Sequence, residues 1–456
     1  MASRGIGEDE EEDSMGQFVV CSVLMVLCVG VPTALADTPP LPPIDDGAAV
    51  ESRGAEALLP GESTVYEFGA VGDGVTDDTE AFQRALDAAG ETGGGVVKAG
   101  VGTFLIKGNL VFPDNVTLEG VWRAPVRGVP FTSGTTLLAV ADKGNPDGPP
   151  FIKLNTSSVL KGVTIYYPEQ IQENPPHAYP WTVQGEGDNC TILSVTMINP
   201  YKAVDFGSLF CGRHYINGLY AHALYKGLYI DQCYDVGRIE NIHFWPFWTV
   251  ATEGPLYDFT YENGTAFIIG RTDGEMGLNL FQIFYNIGFH FVDTGHGGGS
   301  GTYTNVYSDV TPVAVQVDAT HQHAPVSFVN SSFMSAVNID VESQAVVNMT
   351  GCGFWDVRDV EHHIRIQGPA VVNVSSCTFY RWDRQRQGAA AIEAEAGSVI
   401  VTGSNFFMDR DGAVKVRLGD AIRSAVVVGN IMRGGVVIDD QTGDDADVQI
   451  GLNAGK

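Results

Sequence analysis

The chain has 456 residues, of which 44% are hydrophobic and 18% charged, and its formal net charge is −29. The hydrophobic content excludes a disordered protein, and the negative charge disfavours nucleic acid or an anionic membrane surface as a partner. A chain of this length would ordinarily divide into two or more globular domains, unless it forms a repeat solenoid in which each repeat packs on its neighbours.

The first 62 residues are predicted to precede the folded domain. Residues 18–31 form an apolar run that is too short to span a membrane, and Ala34-Leu35-Ala36 follows it. We therefore expect a signal peptide over residues 1–36, a secreted, periplasmic or cell-surface protein, and no membrane span after cleavage. The acids at 8–13 are unusual ahead of such a segment, so translation from Met15 is an alternative. Residues 37–62 are interpreted as a proline-rich linker, and residues 63–456 as the folded domain.

Five cysteines follow residue 36, and their spacing carries little chemistry. An odd number without a Cys-x-x-Cys pair argues against a disulfide framework and against a zinc site. The sequence therefore predicts no metal and no cofactor. The five positions are Cys190, Cys211, Cys233, Cys352 and Cys377.

The segment from Tyr66 to Leu86 carries the most specific pattern in the chain. A short strand ends in the turn Gly72-Asp73-Gly74, and a helix is expected behind Thr76 or Asp77. Its apolar side chains recur on one face, at Phe82, Ala85, Leu86 and Ala89. This block resembles the opening of the pectate lyase-like and rhamnogalacturonase-like β-helix family. The resemblance implies a right-handed parallel β-helix whose N-terminal end is capped by the helix.

Short strands recur along the rest of the chain. Val195, Leu219 and Ile242 open similar segments 24 and 23 residues apart. Later inward residues are expected at intervals of 21 to 27, at Phe333, Phe354, Phe379, Phe406 and Ile431. Such a period, with Gly, Asn and Ser turns, is typical of a parallel β-helix. The sequence therefore predicts an all-β, single-stranded right-handed solenoid, with Cys352 and Cys377 stacked inside it.

The middle coils are predicted to carry the functional site. Alternation along their strands places one column of side chains outward, at Asp205, Tyr229, Ile268, His290 and Gln316. Glycoside hydrolysis needs two carboxyl groups about 5 to 9.5 Å apart, and coils about 4.8 Å apart can supply them. The candidate catalytic residues are Asp205, Asp231, Asp273, Glu275, His290 and His296.

Aromatic residues locate a candidate glycan cleft beside these acids, because aromatic rings stack on the apolar faces of sugars. The run His243 to Trp248 leads into an insertion, residues 249–264, that breaks the period. The alternative is that this insertion uses its own aromatic residues to form a small core. The candidate substrate-binding residues are Tyr229, His243, Trp245, Trp248 and Arg271.

Gly295-His296-Gly297 resembles the Gly-His-Gly motif of the polygalacturonases of glycoside hydrolase family 28. The Asn-Thr-Asp, Asp-Asp and Arg-Ile-Lys motifs of that family have no counterpart around it, so its mechanism is not transferred. The predicted function is a polysaccharide-cleaving glycoside hydrolase that uses paired carboxylates. Two alternatives stay open: a lyase acting on a uronate-containing glycan, supported by the basic cluster Arg381–Arg386, and a noncatalytic polysaccharide-binding β-helix. The oligomeric state is not predicted.

Overall fold

The computed structural model describes residues 61–126, 130, 132–246, 253–357, 360–408 and 410–455. The predicted signal peptide, nearly all of the predicted linker, and Trp248 lie outside these residues, so export stays a prediction. In the described part of the chain, no helix is long and apolar enough to cross a membrane.

The described residues form strands with few helices. The helices are the 3-10 helix Val65–Phe68, α1 Thr79–Glu91 and α2 Pro255–Asn263. The first strands are β1 Glu62–Thr64, β2 Asp73–Asp77, β3 Gly95–Lys98, β4 Gly102–Ile106, β5 Leu110–Phe112, β6 Val116–Glu119, β7 Thr135–Ala139, β8 Ile152–Leu154, β9 Val159–Lys161, β10 Thr164–Tyr166, β11 Trp181–Gly185 and β12 Thr191–Ile198. The middle strands are β13 Lys202–Phe206, β14 Tyr215–Ala221, β15 Lys226–Ile230, β16 Arg238–Phe244, β17 Thr265–Ile269, β18 Asp273–Ile283, β19 Ile287–Phe291, β20 Ser300–Asp309, β21 Val313–Val317, β22 Val326–Val329, β23 Ser332–Phe333 and β24 Ala336–Ile339. The last strands are β25 Val346–Thr350, β26 Gly353–Trp355, β27 Ile364–Ile366, β28 Val371–Ser375, β29 Thr378–Tyr380, β30 Ile392–Thr402, β31 Asn405–Phe407, β32 Val416–Val428, β33 Ile431–Met432, β34 Ile438–Asp440 and β35 Asp447–Gly451.

These strands pair in parallel and stack into three faces of a solenoid. Face A contains β5, β8, β11, β13, β15, β17, β19, β21, β24, β27 and β34, with the first halves of β30 and β32. Face B contains β2, β4, β7, β10, β23, β26, β29, β31 and β33, with the second halves of β12, β14, β16, β18 and β20. Face C contains β1, β3, β6, β9, β22, β25, β28 and β35, with the remaining halves of the long strands. The predicted fold, a parallel β-helix, is confirmed.

The N-terminal block forms the predicted strand, turn and helix. Asp78 precedes α1, and its carboxylate accepts hydrogen bonds from the backbone N–H groups of Val71 (2.7 Å) and Gly72 (3.1 Å). The expected apolar face of α1 is buried, and Phe82 packs edge-on against Phe104 of β4, with ring centroids 5.0 Å apart. Contacts with β3 and β5 place α1 against the first coils. That the helix closes the end of the solenoid stays a prediction.

One hydrophobic core extends through the coils from Val65 to Met432. Its face B column contains Phe354, Phe379 and Phe406, whose rings stack with centroids 4.7 Å apart at both steps. The next residue in this register is Met432, which is buried, whereas Ile431 is 57% exposed. The prediction of an inward Ile431 is therefore wrong by one residue. Cys352 and Cys377 are buried inside the coils, as predicted.

Asparagines set the bend between faces C and B. Asn241, Asn279 and Asn305 occupy equivalent positions and have φ angles of 53°, 55° and 55°. Asparagine tolerates this left-handed conformation better than most residues. Each side chain donates to the asparagine side chain one coil earlier, over 3.0 to 3.2 Å. The ladder lets one long strand contribute to two faces.

Candidate functional site

Face A carries one continuous outward column of side chains, in the register expected from the sequence. Asp205 pairs with Tyr229, Tyr229 with Ile268, Ile268 with His290, and His290 with Gln316. The intervening Leu228, Phe267, Phe289 and Val315 are buried. Gln184 extends the column toward the N-terminus, and Asn338 and Arg365 extend it toward the C-terminus. The predicted alignment of the middle coils is confirmed.

Asp231 lies directly after β15, in the turn that leads from face A to face C, and its side chain has no solvent exposure. Its Oδ1 accepts the backbone N–H groups of Gln232 (2.8 Å) and Arg271 (2.7 Å). Its Oδ2 accepts the hydroxyls of Tyr229 (3.0 Å) and Thr294, and contacts His296 Nδ1 (3.0 Å). Burial alone would raise the pKa of Asp231, but these hydrogen bonds outweigh it and hold the pKa below its ordinary value. Asp231 is therefore a fixed carboxylate.

His296 stands at the surface above this carboxylate. Gly295 and Gly297 have φ angles of 102° and 94°, a conformation that glycine adopts readily. Asp293 accepts both of their N–H groups through Oδ1, over 2.8 and 2.9 Å, and so fixes the turn. With Nδ1–H directed at Asp231, the lone pair of Nε2 is available to a substrate. The side chain of His296 is 39% exposed, so the ring is open to solvent.

A basic and an aromatic group flank the Asp231–His296 pair. The guanidinium of Arg271 pairs with Asp273 (2.6 Å), and its Nη1 lies beneath Gly297. The ring of Tyr229 stacks with that of Trp181 from β11, with centroids 6.3 Å apart. Burial, the largest effect, raises the pKa of the Tyr229 hydroxyl, and the charge of Asp231 raises it further. The site therefore combines a base, a cation, a protonated phenol and an aromatic platform.

The structure brings together five predicted residues: Tyr229, Asp231, Arg271, Asp273 and His296. The other predicted residues that the structure describes lie outside this group, although Asp205 occupies the register position next to Tyr229. Asp205 points outward as expected, but it is fully buried and accepts Gln184 and two backbone N–H groups. His290 lies on the same face and bonds through Nε2 to Asp318 (2.6 Å).

Glu275 lies inside the solenoid, contrary to the sequence prediction of an outward catalytic acid. The strand β18 already begins at Asp273, and its register shifts between Asp273 and Glu275. This irregularity turns the Glu275 side chain inward, where it bonds to His214. Glu275 is therefore not part of the face A site.

His243 and Trp245 lie on or beside face B. His243 stacks between Trp245 and Phe281, with ring centroids 5.2 and 4.5 Å away. Burial lowers the pKa of His243 to about 4. In the insertion, Phe259 packs with Leu224 and Leu256 in a small core of its own. The described part of the insertion thus matches the alternative interpretation rather than an aromatic wall.

The basic cluster Arg381–Arg386 does not lie in the outward column of face A. Arg381–Arg386 begins directly after β29 on face B, and Trp382 within it is buried. Arg365, by contrast, lies in the outward column of face A and pairs with Glu395 (2.7 Å).

Sequence reasoning missed Thr294 and Trp181. Thr294 is a short polar residue in a turn, and no periodicity marks it. Trp181 lies two coils before Tyr229 at a different strand position, so its contact depends on side-chain direction. A signal for Trp181 did exist, since a tryptophan opening a short polar strand is unusual on a solvated face.

Comparison with known families agrees with the fold. Residues 63–185 match the family described as "Rhamnogalacturonase A/epimerase, pectate lyase-like". This segment is pectate lyase-like. The resemblance predicted from the Tyr66–Leu86 block is confirmed there, although Asp231 and His296 lie beyond the matched residues. A relation to glycoside hydrolase family 28 stays a prediction.

Individual relatives match over short stretches. The chain is 42% identical over 66 residues to alginate lyase 7 of Azotobacter vinelandii, covering 13% of this chain and 8% of the relative. It is 52% identical over 63 residues to mannuronan C5-epimerase AlgE1 of the same organism, covering 12% of this chain and 4% of that one. Among solved structures, a tailspike protein mutant of E. coli bacteriophage HK620, in complex with a hexasaccharide, superposes with a TM-score of 0.52 at 12% identity. That likeness covers 83% of this chain and 71% of the tailspike chain, and it shows the fold.

Proposed function

We propose that this protein is a polysaccharide-modifying enzyme that removes the proton at C5 of a uronate residue. His296 acts as the base through Nε2, and Asp231 orients its ring and stabilises the imidazolium that forms. The observation that carries the proposal is the hydrogen bond between His296 Nδ1 and the buried carboxylate of Asp231 (3.0 Å). A positioned histidine with one free nitrogen is a common arrangement for proton abstraction.

The proton at C5 of a uronate is weakly acidic because the adjacent carboxylate can delocalise the resulting charge. A cation at that carboxylate is therefore needed. Arg271 can supply it, because its guanidinium lies beside Gly297 and its backbone N–H is bound to Asp231. The carbanion then has two possible fates. In one it expels the oxygen at C4, which forms a C4–C5 double bond, and the departing oxygen takes the proton held by the His296 imidazolium. In the other it takes a proton from water on the opposite ring face, and the imidazolium releases its own proton to solvent. The first outcome is a lyase reaction and the second an epimerisation.

The carboxyl groups at the site support this chemistry better than hydrolysis. A glycoside hydrolase needs one protonated and one ionised carboxyl group. Asp231 is held ionised by its donors, and Asp273 is engaged by Arg271. The acid whose pKa burial raises to about 6, Asp309, lies at the end of β20 on face B. The names of the short-range relatives, a lyase and C5-epimerases, also support proton abstraction at a uronate.

The test is solvent deuterium incorporation. The full chain is incubated in D₂O with alginate, polygalacturonate and a neutral glucan as separate substrates. We expect an ultraviolet-absorbing unsaturated product, or deuterium at C5 in the recovered polymer, with a uronate substrate only. His296→Gln is expected to abolish the signal, and His323→Gln, at an exposed histidine in another turn, to retain it. New reducing ends without unsaturation or deuterium would instead establish a hydrolase, and silence on every substrate would favour a binding protein.

A further inference from the structure

A second polar cluster lies inside the solenoid, behind the turn that carries Asp231. His214, Cys233 and Glu275 are all fully buried, and their Nε2, Sγ and carboxylate atoms lie within 4.8 Å of one another. They come from three separate coils. The surrounding interior is apolar, with Phe206 5.5 Å from the His214 ring between centroids. Buried polar groups of this kind cost free energy unless each finds a partner.

A glycine makes the cluster possible. His214, Gly237 and Glu275 immediately precede the paired residues Tyr215, Arg238 and Met276, so they occupy one register position on consecutive coils. A Cβ atom at Gly237 would lie 2.4 Å from His214 Nε2 and 2.4 Å from Glu275 Oε2. The missing side chain therefore leaves a space into which the side chains of the flanking coils extend and meet.

The hydrogen bonds of His214 require a cation in that space. Its Nδ1 lies 3.2 Å from the carbonyl oxygen of Cys211, which can only accept, so Nδ1 carries the proton. Nε2 then directs its lone pair at Glu275 Oε1, 3.0 Å away. Two lone pairs at this distance repel unless a proton or a metal ion lies between them. This tautomer, fixed by a backbone carbonyl, is the one that metal-bound histidines commonly adopt.

A proton would leave other buried atoms without partners. Glu275 Oε2 and the hydroxyl of Tyr303 are buried and make no hydrogen bond. Tyr303 lies on the strand beside Glu275, two residues beyond Gly301, the residue that pairs with Glu275. A single shared proton satisfies Glu275 Oε1 alone, whereas a metal ion at the centre can be reached by several of these groups.

We propose that His214, Cys233 and Glu275 bind a zinc ion inside the β-helix. Nitrogen, sulfur and carboxylate oxygen are the ligands that zinc takes, at about 2.0 to 2.3 Å. One thiolate and one carboxylate balance the charge of Zn²⁺, so the bound cluster is neutral in an apolar interior. The Cys233 thiol donates to the carbonyl oxygen of Asp235 (2.7 Å), and zinc binding replaces that bond. The spacing of the cysteines did not predict this site, because its ligands come from three coils.

The site would brace the turns that carry the face A residues. Cys233 follows Asp231 by two residues, and Glu275 follows Asp273 by two. The zinc would thus hold these two turns together from the inside. The proposal does not depend on the reaction proposed above, because zinc content and stability can be measured without a substrate.

The experiment uses the full chain, purified without chelator through a tag that does not bind metal. Elemental analysis should find about one zinc per chain, and cobalt substitution should give a thiolate-to-metal charge-transfer band. Cys233→Ala should reduce the bound metal at least about tenfold and remove the band. Cys377→Ala, which removes another buried cysteine several coils away, should retain both. Tyr303→Phe tests the hydroxyl as a fourth ligand through a change in the cobalt spectrum.

Chelation of the wild-type chain decides the matter if Cys233→Ala fails to fold. Removal of zinc should lower Tm by at least about 5 °C, and added zinc should restore it. A wild-type chain that contains no zinc and whose Tm does not respond to zinc would overturn the proposal. His214 and Glu275 would then form a proton-bridged pair.

Discussion

His296 bonds through Nδ1 to Asp231 Oδ2 across 3.0 Å, although 65 residues separate them in the chain. The two residues do not lie on adjacent coils: Asp231 follows β15 and His296 follows β19, with the β17 coil between them. Arg271, on the intervening coil, donates its backbone N–H to the same carboxylate. One buried acid thus orders the turns of three coils.

The histidine is expected to contribute to activity and not to stability. His296→Gln removes the base but leaves the buried contacts of Asp231 with Gln232 and Arg271. We expect kcat on a uronate substrate to fall by about 10² to 10⁴-fold, while Tm changes by less than about 2 °C. Steady-state kinetics and thermal unfolding measure the two effects. Activity within about twofold of wild type would remove His296 from the mechanism.

Asp231 is expected to contribute to both activity and stability. Asp231→Asn directs an amide group toward the donors from Tyr229, Thr294 and His296, so we expect activity to be lost and unfolding to become easier by about 1 to 3 kcal/mol. Because the folded-state pKa of Asp231 is lowered, its stabilisation is present above the unfolded pKa of about 3.9 and is lost as the pH falls through the folded value. Urea unfolding between about pH 3 and 7 should therefore show a weaker acid dependence in the variant. If the stability of the variant depends on pH as that of the wild type does, the ionised form of Asp231 is not the stabilising one.

The contribution of Asp309 to stability should depend on pH in the opposite direction to that of Asp231. Burial raises its folded-state pKa to about 6, so the folded chain keeps a proton that the unfolded chain has released. Stability should fall as the pH rises from about 4 to about 6 and then level off. Asp309→Asn should remove this fall and be more stable at about pH 8, by up to on the order of 2 kcal/mol. Asp444→Asn, in an exposed turn, is the matched control. If Asp309→Asn is less stable than wild type at about pH 8, the raised pKa of Asp309 is contradicted.

The asparagine ladder can be tested at its centre. Asn279 donates to Asn241 (3.0 Å), accepts from Asn305 (3.2 Å) and has a φ of 55°. Asn279→Ala loses both bonds and strains the backbone, and we expect a cost of about 2 to 4 kcal/mol. Asn279→Gly loses the bonds but tolerates the conformation, so its cost should be about 1 kcal/mol lower. Equal costs in chemical denaturation would show that the conformation contributes nothing.

Two aromatic substitutions test whether face A or face B binds the glycan. Trp181 stacks on Tyr229 at the face A site, whereas Phe281 stacks on His243 on face B. If the glycan lies along face A, Trp181→Ala should raise KM by about tenfold, the effect of losing one stacked ring, and Phe281→Ala should leave KM unchanged. The reverse result would move the binding surface to face B and restore His243 and Trp245 as substrate-binding residues.

The strands were predictable because two periods act together. Alternation along each strand fixes which side chains point inward, and the coil length fixes which residues stack, so Asp205, Tyr229 and His290 fall into one column as expected. The Ile431 error arises where β33 is only two residues long and offers almost no alternation to follow.

The turns were not predictable in the same way, because a turn has no period. The sequence identified Asp231 and His296 as candidate catalytic residues but could not pair them, since their contact depends on the turn in which Gly295 and Gly297 have positive φ angles. Glu275 was misplaced for a related reason: a register shift two residues into β18 reverses its direction. The candidate site therefore lies mainly in turns, where the sequence pattern constrains the conformation least.

The absence of a side chain at Gly237 also affects how the solenoid is expected to unfold. Repeat proteins usually lose structure one neighbour at a time, because each repeat touches only the next. Here His214 and Glu275 meet across an intervening coil, and Asp231 likewise reaches Thr294. Because these contacts join coils that are not adjacent, we expect the coils from residue 214 to 296 to unfold as one cooperative block. Amide hydrogen exchange in this block should proceed by a single shared opening, while the coils at either end fray independently.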